Sequence, residues 1–250
     1  MLSLTISFVR HIQMKSHKEI RPMLLSLTKR LIPASLVLTT ALLLPLQADA
    51  LENRSDDWEG ISAGISLSLT DINADIQYTA TPGLFSHPSG YDKGIDFSLE
   101  YLRAMTPNLL IGLELMASQH SGSVNDGIHY NNFNLANAYG NIDAKRSARR
   151  LGKIALTASE NTLVYLGAGI ETTQFGFTET TVSQLVVKHT ESVLGQVIVV
   201  GFDHKLSDDF SVRLELSQTG MKNKIYHGFQ SATEIDPDSR AIKVGLRYSF

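Results

Sequence analysis

The sequence predicts an all-β chain: an eight-stranded antiparallel transmembrane β-barrel behind an N-terminal signal peptide. Three observations carry that expectation. Eight segments alternate apolar and polar side chains with period two. The connections between them are alternately short and long. Nine charged residues share the face opposite the apolar one, the reverse of a soluble barrel, which turns its charges to water.

The leader comes first. Lys29 and Arg30 precede LIPASLVLTTALLLPLQADA, an apolar run that is short for a membrane span and closes on the small-x-small site Ala48-Asp49-Ala50. This is the pattern of a secretory signal peptide. Residues 1–50 are expected to be cleaved after Ala50, leaving 51–250 as the barrel. The 22 residues before Met23 fit the pattern poorly, and a start at Met23 gives a leader of 28 residues, 23–50. The remaining 200 residues carry 16 Lys+Arg (22 less 6) and 23 Asp+Glu (25 less 2), a net charge of −7. That balance argues against a nucleic-acid partner, which needs a basic surface. With no cysteine in the chain, closure of the sheet must do what disulfides do in many exported proteins.

The strands follow in order. WEGISAGISLSL sets Ile61, Ala63, Ile65, Leu67 and Leu69 outward against Ser62, Gly64, Ser66 and Ser68. GIDFSLEYLR turns Ile95, Phe97, Leu99 and Tyr101 out, with Asp96 and Glu100 in. LLIGLELMAS places Leu109, Ile111, Leu113 and Leu115 against Glu114. AKRSARRLGKIAL carries Lys145, Arg146, Arg149, Arg150 and Lys153 on both parities; its position predicts a strand, but its register stays open. LVYLGAGIET points Val164, Leu166, Ala168 and Ile170 out and Glu171 in. LGQVIVVGFDHKL is apolar on both faces at its centre, with Leu194, Ile198, Val200 and Phe202 out and Gly195, Gly201 and Asp203 in. FSVRLELS sets Phe210, Val212, Leu214 and Leu216 against Arg213 and Glu215. AIKVGLRYSF closes the set, with Lys243 and Arg247 inward and Ile242, Val244, Leu246, Tyr248 and Phe250 outward.

Strands of about 9–13 residues are long enough to cross a tilted bilayer path. Three connections are short, at residues 104–108, 157–162 and 207–209. Four are long, at residues 70–93, 120–144, 174–193 and 219–239, and rich in Gly, Asn, Ser, Thr and His. Short turns at one rim and long loops at the other are the organisation of an outer-membrane barrel.

The last strand, read as Lys243-x-Gly245-x-x-Tyr248-x-Phe250, resembles the C-terminal signal recognised by the barrel-assembly machinery. The whole chain after the leader resembles the small bacterial outer-membrane β-barrel superfamily, the OmpA/OmpX-type barrels and more closely the opacity and porin-like surface proteins. The resemblance rests on WEGISAGIS, RRLGKIAL, LVYLGAGI, VGFDHKLSDDFSVRLELS and the terminus. Lys153 departs from it, because an aromatic or apolar residue usually follows the glycine at that place. The resemblance implies a place in the bacterial outer membrane, with lipid and lipopolysaccharide as surroundings. With no peptidoglycan-binding segment after Phe250, no wall anchor is expected.

The inward charges are Asp96, Glu100, Glu114, Glu171, Asp203, Arg213, Glu215, Lys243 and Arg247. An eight-stranded lumen is just wide enough for side chains to fill, and buried charges must be paired. The expectation is an ion-pair network that plugs the barrel, with Arg213 and Glu215 paired to Asp203 on the strand before and to Lys243 or Arg247 on the strand after. No cofactor, metal or catalytic residue is expected. His120 and His129 start a long loop without the spacing of a metal site. His120-Ser121 is the one adjacent pair suited to a lipopolysaccharide-modifying enzyme, but His120 has lumen parity and the sequence shows no third group to orient it. The function expected is structural or surface-interactive, through extracellular loops that meet a host or phage ligand. A narrow porin-like channel is the alternative, and an enzyme the more distant one.

Overall fold

Period-two alternation becomes eight long strands joined into a closed ring. The computed structural model describes residues 55–78, 83–131, 133–180, 183, 185–227 and 232–250. The leader, with Ala48 and Ala50, lies outside them. In chain order the strands are β1 (Gly60–Tyr78), β2 (Leu84–Ser86), β3 (Ser89–Thr106), β4 (Leu109–His120), β5 (Val124–Tyr130), β6 (Phe133–Ser159), β7 (Thr162–Thr180), β8 (Val186–Lys205), β9 (Phe210–Met221), β10 (Lys224–His227) and β11 (Ala232–Ser249). The ring runs β1-β3-β4-β6-β7-β8-β9-β11, and β11 pairs antiparallel with β1 to close it. The short β2, β5 and β10 pair beside the ring at its upper, long-loop end.

The register fixes the barrel's geometry. A row of partners starts at Tyr248 and passes Ala63, Leu99, Leu115, Arg150, Ile170, Gln196 and Gly220. It returns to β11, where it began, at Asp238, ten residues above Tyr248. Ten residues of stagger over eight strands set a tilt of about 40° at ordinary strand spacings.

The outward set matches the alternation. Ile61, Ile65 and Leu67 on β1, Phe97 and Leu99 on β3, and Val244 and Leu246 on β11 are all exposed. Tyr248 packs against Phe210 and Phe250, with centroids 5.1 and 5.0 Å apart, and forms an aromatic cluster at the short-turn rim.

The long connections are where expectation and structure part. Most of residues 70–93, 120–144, 174–193 and 219–239 are strand rather than loop. Strand β1 continues to Tyr78, β6 begins at Phe133, and β7 and β8 pair from Thr162–His204 up to Thr180–Val186. The reason lies in DINADIQY, which keeps the backbone alternation and inverts its chemistry. Ile72, Ala74, Ile76 and Tyr78 turn into the barrel and are buried, while Asp71, Asn73, Asp75 and Gln77 face out. An apolar core of Ile72, Ile76, Ile142, Phe175, Phe177 and Ile235 fills the upper barrel. Below the inversion the outside is apolar and suits lipid; above it the outside is polar and suits water.

Strand β6 also acquires its register. A shift between Ala144 and Arg146 sets Ser147, Arg149, Leu151, Lys153 and Ala155 inward, with Arg146, Arg150 and Ile154 outward.

Candidate functional site: the lumen charge network

Between the upper core and a lower apolar cluster lies a layer of charge. The lower cluster comprises Trp58, Leu102, Leu110, Leu163 and Tyr165 with neighbours from β6 and β8. In the layer, four acids (Glu100, Glu114, Asp203, Glu215) meet four bases (Arg149, Lys153, Arg213, Arg247), and all eight are buried.

Arg213 is the hub. Its Nε and Nη2 donate to the two Asp203 oxygens at 2.8 and 3.0 Å. Nη1 donates to Glu114 at 2.5 Å and Nη2 also to Glu100 at 2.9 Å. Arg149 Nη2 bridges Glu114 at 2.9 Å and Glu215 at 2.6 Å. Lys153 Nζ bridges Glu100 and Glu114, both at 2.5 Å. Arg247 binds Glu100 at 2.7 Å, donates to Ser62 Oγ at 2.5 Å, and contacts Asp203. The Tyr165 hydroxyl donates to Glu215 at 3.0 Å, and its ring lies under Lys153 Nζ at 4.0 Å. A ring fits there because Gly201 faces it: a Cβ on Gly201 would stand 2.5 Å from the Tyr165 hydroxyl. Such a network satisfies most of the polar atoms that make buried charge costly, with Arg149 Nε and Nη1 left without a partner.

The expected pairings are met in part. Arg213 does pair with Asp203, but it also crosses the lumen to Glu100 and Glu114. Glu215 pairs with Arg149 rather than Lys243 or Arg247. Lys243 instead donates to Asp96 at 3.2 Å and contacts the Met116 sulfur at 3.1 Å. Glu171 stands apart, accepting from the Thr173 hydroxyl at 3.4 Å and the Thr219 hydroxyl at 3.2 Å. Sequence reading missed Arg149 and Lys153 because β6 was unphased. The signal for Lys153 was its departure from the apolar residue usual there: the amine neutralises two carboxylates in place of packing.

His120 has the orienting group that the sequence did not reveal. Its Nδ1 lies 3.2 Å from Asp92 Oδ2, short of hydrogen-bond alignment, and its Nε2 is 3.2 Å from Ser147 Oγ. Asp92 is held in turn by the backbone N–H groups of Ser121, at 3.2 Å, and Gly122. The three side chains have the order of a hydrolytic triad. The adjoining cavity of ≈ 20 Å³ is bordered by His120, Glu171, Lys243 and Thr219, but not by Ser147. It has room for about one water and none for a lipid. His129 lies elsewhere, stacked on Phe85 at 5.5 Å and 3.7 Å from Asp126. Among the described residues no three metal-ligating side chains converge.

The upper core carries titratable groups of its own. Burial, with the nearby Glu179 charge, holds the Tyr78 hydroxyl well above its usual range. Burial also raises the Glu179 carboxyl.

The fold has counterparts among solved structures. The outer membrane protein OprG from Pseudomonas aeruginosa matches with 14% identity and a TM-score of 0.54, over 77% of this chain and 96% of that one. Ail of Yersinia pestis, solved in complex with the heparin analogue sucrose octasulfate, matches at 10% identity and TM-score 0.40, over 76% and 99%. Neisserial surface protein A matches at 10% and 0.39, over 74% and 97%. No curated protein shows significant sequence similarity. The family model of the outer membrane protein beta-barrel domain matches residues 35–250. The chain therefore belongs to the outer-membrane β-barrel family of Gram-negative bacteria.

Proposed function

We propose that this outer-membrane barrel is a non-conducting, non-catalytic surface protein whose working part is the rim standing above the membrane. One observation carries the reading: the lumen is filled twice, by the balanced ion-pair layer and by the apolar core above it. What the barrel leaves open to chemistry is its outside. The upper hairpins present Tyr91, Tyr130, Phe133 and Tyr139 to solvent, with Phe133 76% exposed next to the Asn131 turn. Exposed aromatics on a rigid strand frame are suited to adhesion or to recognition by a host or phage ligand. The segment 1–50 serves as an export signal, and the Lys243–Phe250 motif as the mark read by the assembly machinery.

Purified wild-type protein in planar bilayers is expected to show no steady current. Cells whose Tyr130 and Phe133 are both replaced by serine are expected to lose binding to the partner surface while keeping the barrel. Reproducible single-channel current from the wild type would place the narrow channel first. Altered lipid A masses in cells lacking the protein would place an enzyme first.

A further inference from the structure

The lipid-facing wall carries a charge that lipid alone does not explain. Strand β6 turns Arg146 and Arg150 outward, and neither guanidinium forms an ion pair among the described residues. Arg150 pairs laterally with Leu115, 55% exposed, and Ile170, 42% exposed, both part of the apolar belt. The partner row fixes its depth. Arg150 is the midpoint of the eight steps that climb from Tyr248 to Asp238, which places it about 12 Å above the aromatic rim. Leu69, Ile95 and Ile242 all stand higher by the same measure and are still apolar and exposed. Arg150 thus emerges near the middle of the hydrocarbon band, where an unpaired cation is disfavoured. Its long stem can carry the guanidinium upward, toward the polar boundary. Arg146, four residues higher on the same face, stands in that boundary. Between them lies Ala148, flanked by Ala117 on β4 and Thr172 on β7. Three small side chains leave an open shelf between two guanidiniums.

We propose that Arg146 and Arg150 hold a phosphate of an outer-leaflet phosphoglycolipid, the lipid A of lipopolysaccharide. The proposal rests on the barrel's seat in the outer membrane, and is independent of whether the lumen conducts. Guanidinium is the side chain best matched to phosphate, through paired N–H donors. The lipid's position supplies the geometry: its acyl chains lie against Leu115 and Ile170, and its phosphate sits at the shelf. Charge complementarity selects this wall. From β3 to β7, between Tyr91 and Gln174, the outward face of the described ring strands bears Lys93, Arg103, Arg146 and Arg150 against one carboxylate, Asp143, which stands above Arg146. The β1–β11 seam has the reverse balance, with Asp71, Asp75, Asp236 and Asp238 against Arg240 on its strands.

The test uses the mature barrel in proteoliposomes, with bisphosphorylated lipid A as probe and dephosphorylated lipid A as comparison. Lipid retained on the extracted protein is counted by native mass spectrometry. The double variant Arg146→Gln/Arg150→Gln is expected to retain about tenfold less bisphosphorylated lipid A than the wild type. Arg103→Gln, an equal charge change at the other rim, is expected to retain it fully. A second readout is independent of retention. Arg150→Leu should raise the urea midpoint in phosphatidylcholine alone, by removing an unpaired lipid-facing cation, and lower it once lipid A is present. The proposal is overturned if the double variant keeps wild-type retention, if dephosphorylated lipid A is held equally well, or if Arg150→Leu shifts the midpoint the same way in both membranes.

Discussion

Arg213→Ala tests the network at its hub. The arginine makes four charge-assisted contacts to three acids, at 2.8, 3.0, 2.5 and 2.9 Å. Charge-assisted hydrogen bonds at about 1.5–3 kcal/mol each would sum to roughly 6–12 kcal/mol, which overstates the loss. Asp203 keeps Arg247, Glu100 keeps Lys153 and Arg247, and Glu114 keeps Arg149 and Lys153. No acid is stripped of every partner. What remains is one uncompensated buried negative charge, four acids against three bases, at a cost of about 3–5 kcal/mol. The chain's one tryptophan, Trp58, is 6% exposed in the lower cluster and reports unfolding directly. Urea titration of its fluorescence in liposomes should show the loss. The balanced variant Arg213→Met/Asp203→Asn should recover at least half of it, because charge parity returns. A loss below about 1 kcal/mol, the scale of an exposed ion pair, would refute the buried-network reasoning. So would a double variant less stable than the single.

Glu171→Gln is the contrasting case, since its hydrogen-bond partners are threonine hydroxyls; the same titration should show a change within about 1 kcal/mol. Mass spectrometry of the outer-membrane fraction should find Leu51 as the first residue, and recovery of residues 23–50 there would contradict removal of the leader. Deleting Phe250 removes one exposed aromatic, too little to unfold a barrel held by eight strand pairings. The expected defect is therefore in assembly yield, with protein lost in the periplasm, and unchanged surface amounts would rule out the signal role.

The belt was legible because lipid imposes the strongest pattern a strand can carry, and Ile61 to Leu69 or Ile242 to Phe250 repeat it without error. The inward face was legible by subtraction: Asp96, Glu100, Glu114, Asp203, Arg213, Glu215, Lys243 and Arg247 are all buried. Who pairs with whom was not legible. Arg213 reaches Glu114 across the lumen from β4, and sequence alternation gives the face of a residue but not its partner on the far wall. Strand β6 resisted phasing for a physical reason now visible. Arg149 and Lys153 belong to the lumen, Arg146 and Arg150 to the outside, so positive charge falls on both faces. The upper barrel was misread because polar-out strands in water resemble loops when judged by composition alone. His120 and Asp92, 28 residues apart, meet only because β3 and β4 are neighbours.

The inversion on β1 makes one strand serve in two solvents, and that claim can be tested on a single face. Ile65 and Asn73 point to the same side of the same strand, eight residues apart. Ile65 is 49% exposed and sits among Phe97 and Leu246 in the belt. Asn73 pairs with Asp238 above it. If water bathed both, arginine at either place would change stability by no more than about 0.5 kcal/mol, as surface substitutions usually do. With lipid around the lower half, Ile65→Arg should cost about 2–4 kcal/mol, the range for a cation near the bilayer midplane. Asn73→Arg should cost nothing and gain slightly from the opposed Asp238, as cross-strand pairs of opposite charge do, by about 0.2–1 kcal/mol. Urea unfolding of both variants in the same liposomes reads the difference. Equal stability of the two would mean that the boundary does not fall at Asp71–Ile72. A loss at Asn73 as large as at Ile65 would mean that the membrane reaches higher than the polar-out pattern allows. The same boundary fixes the depth of Arg150, because it sets the level to which a lipid-facing arginine must extend to reach the headgroups.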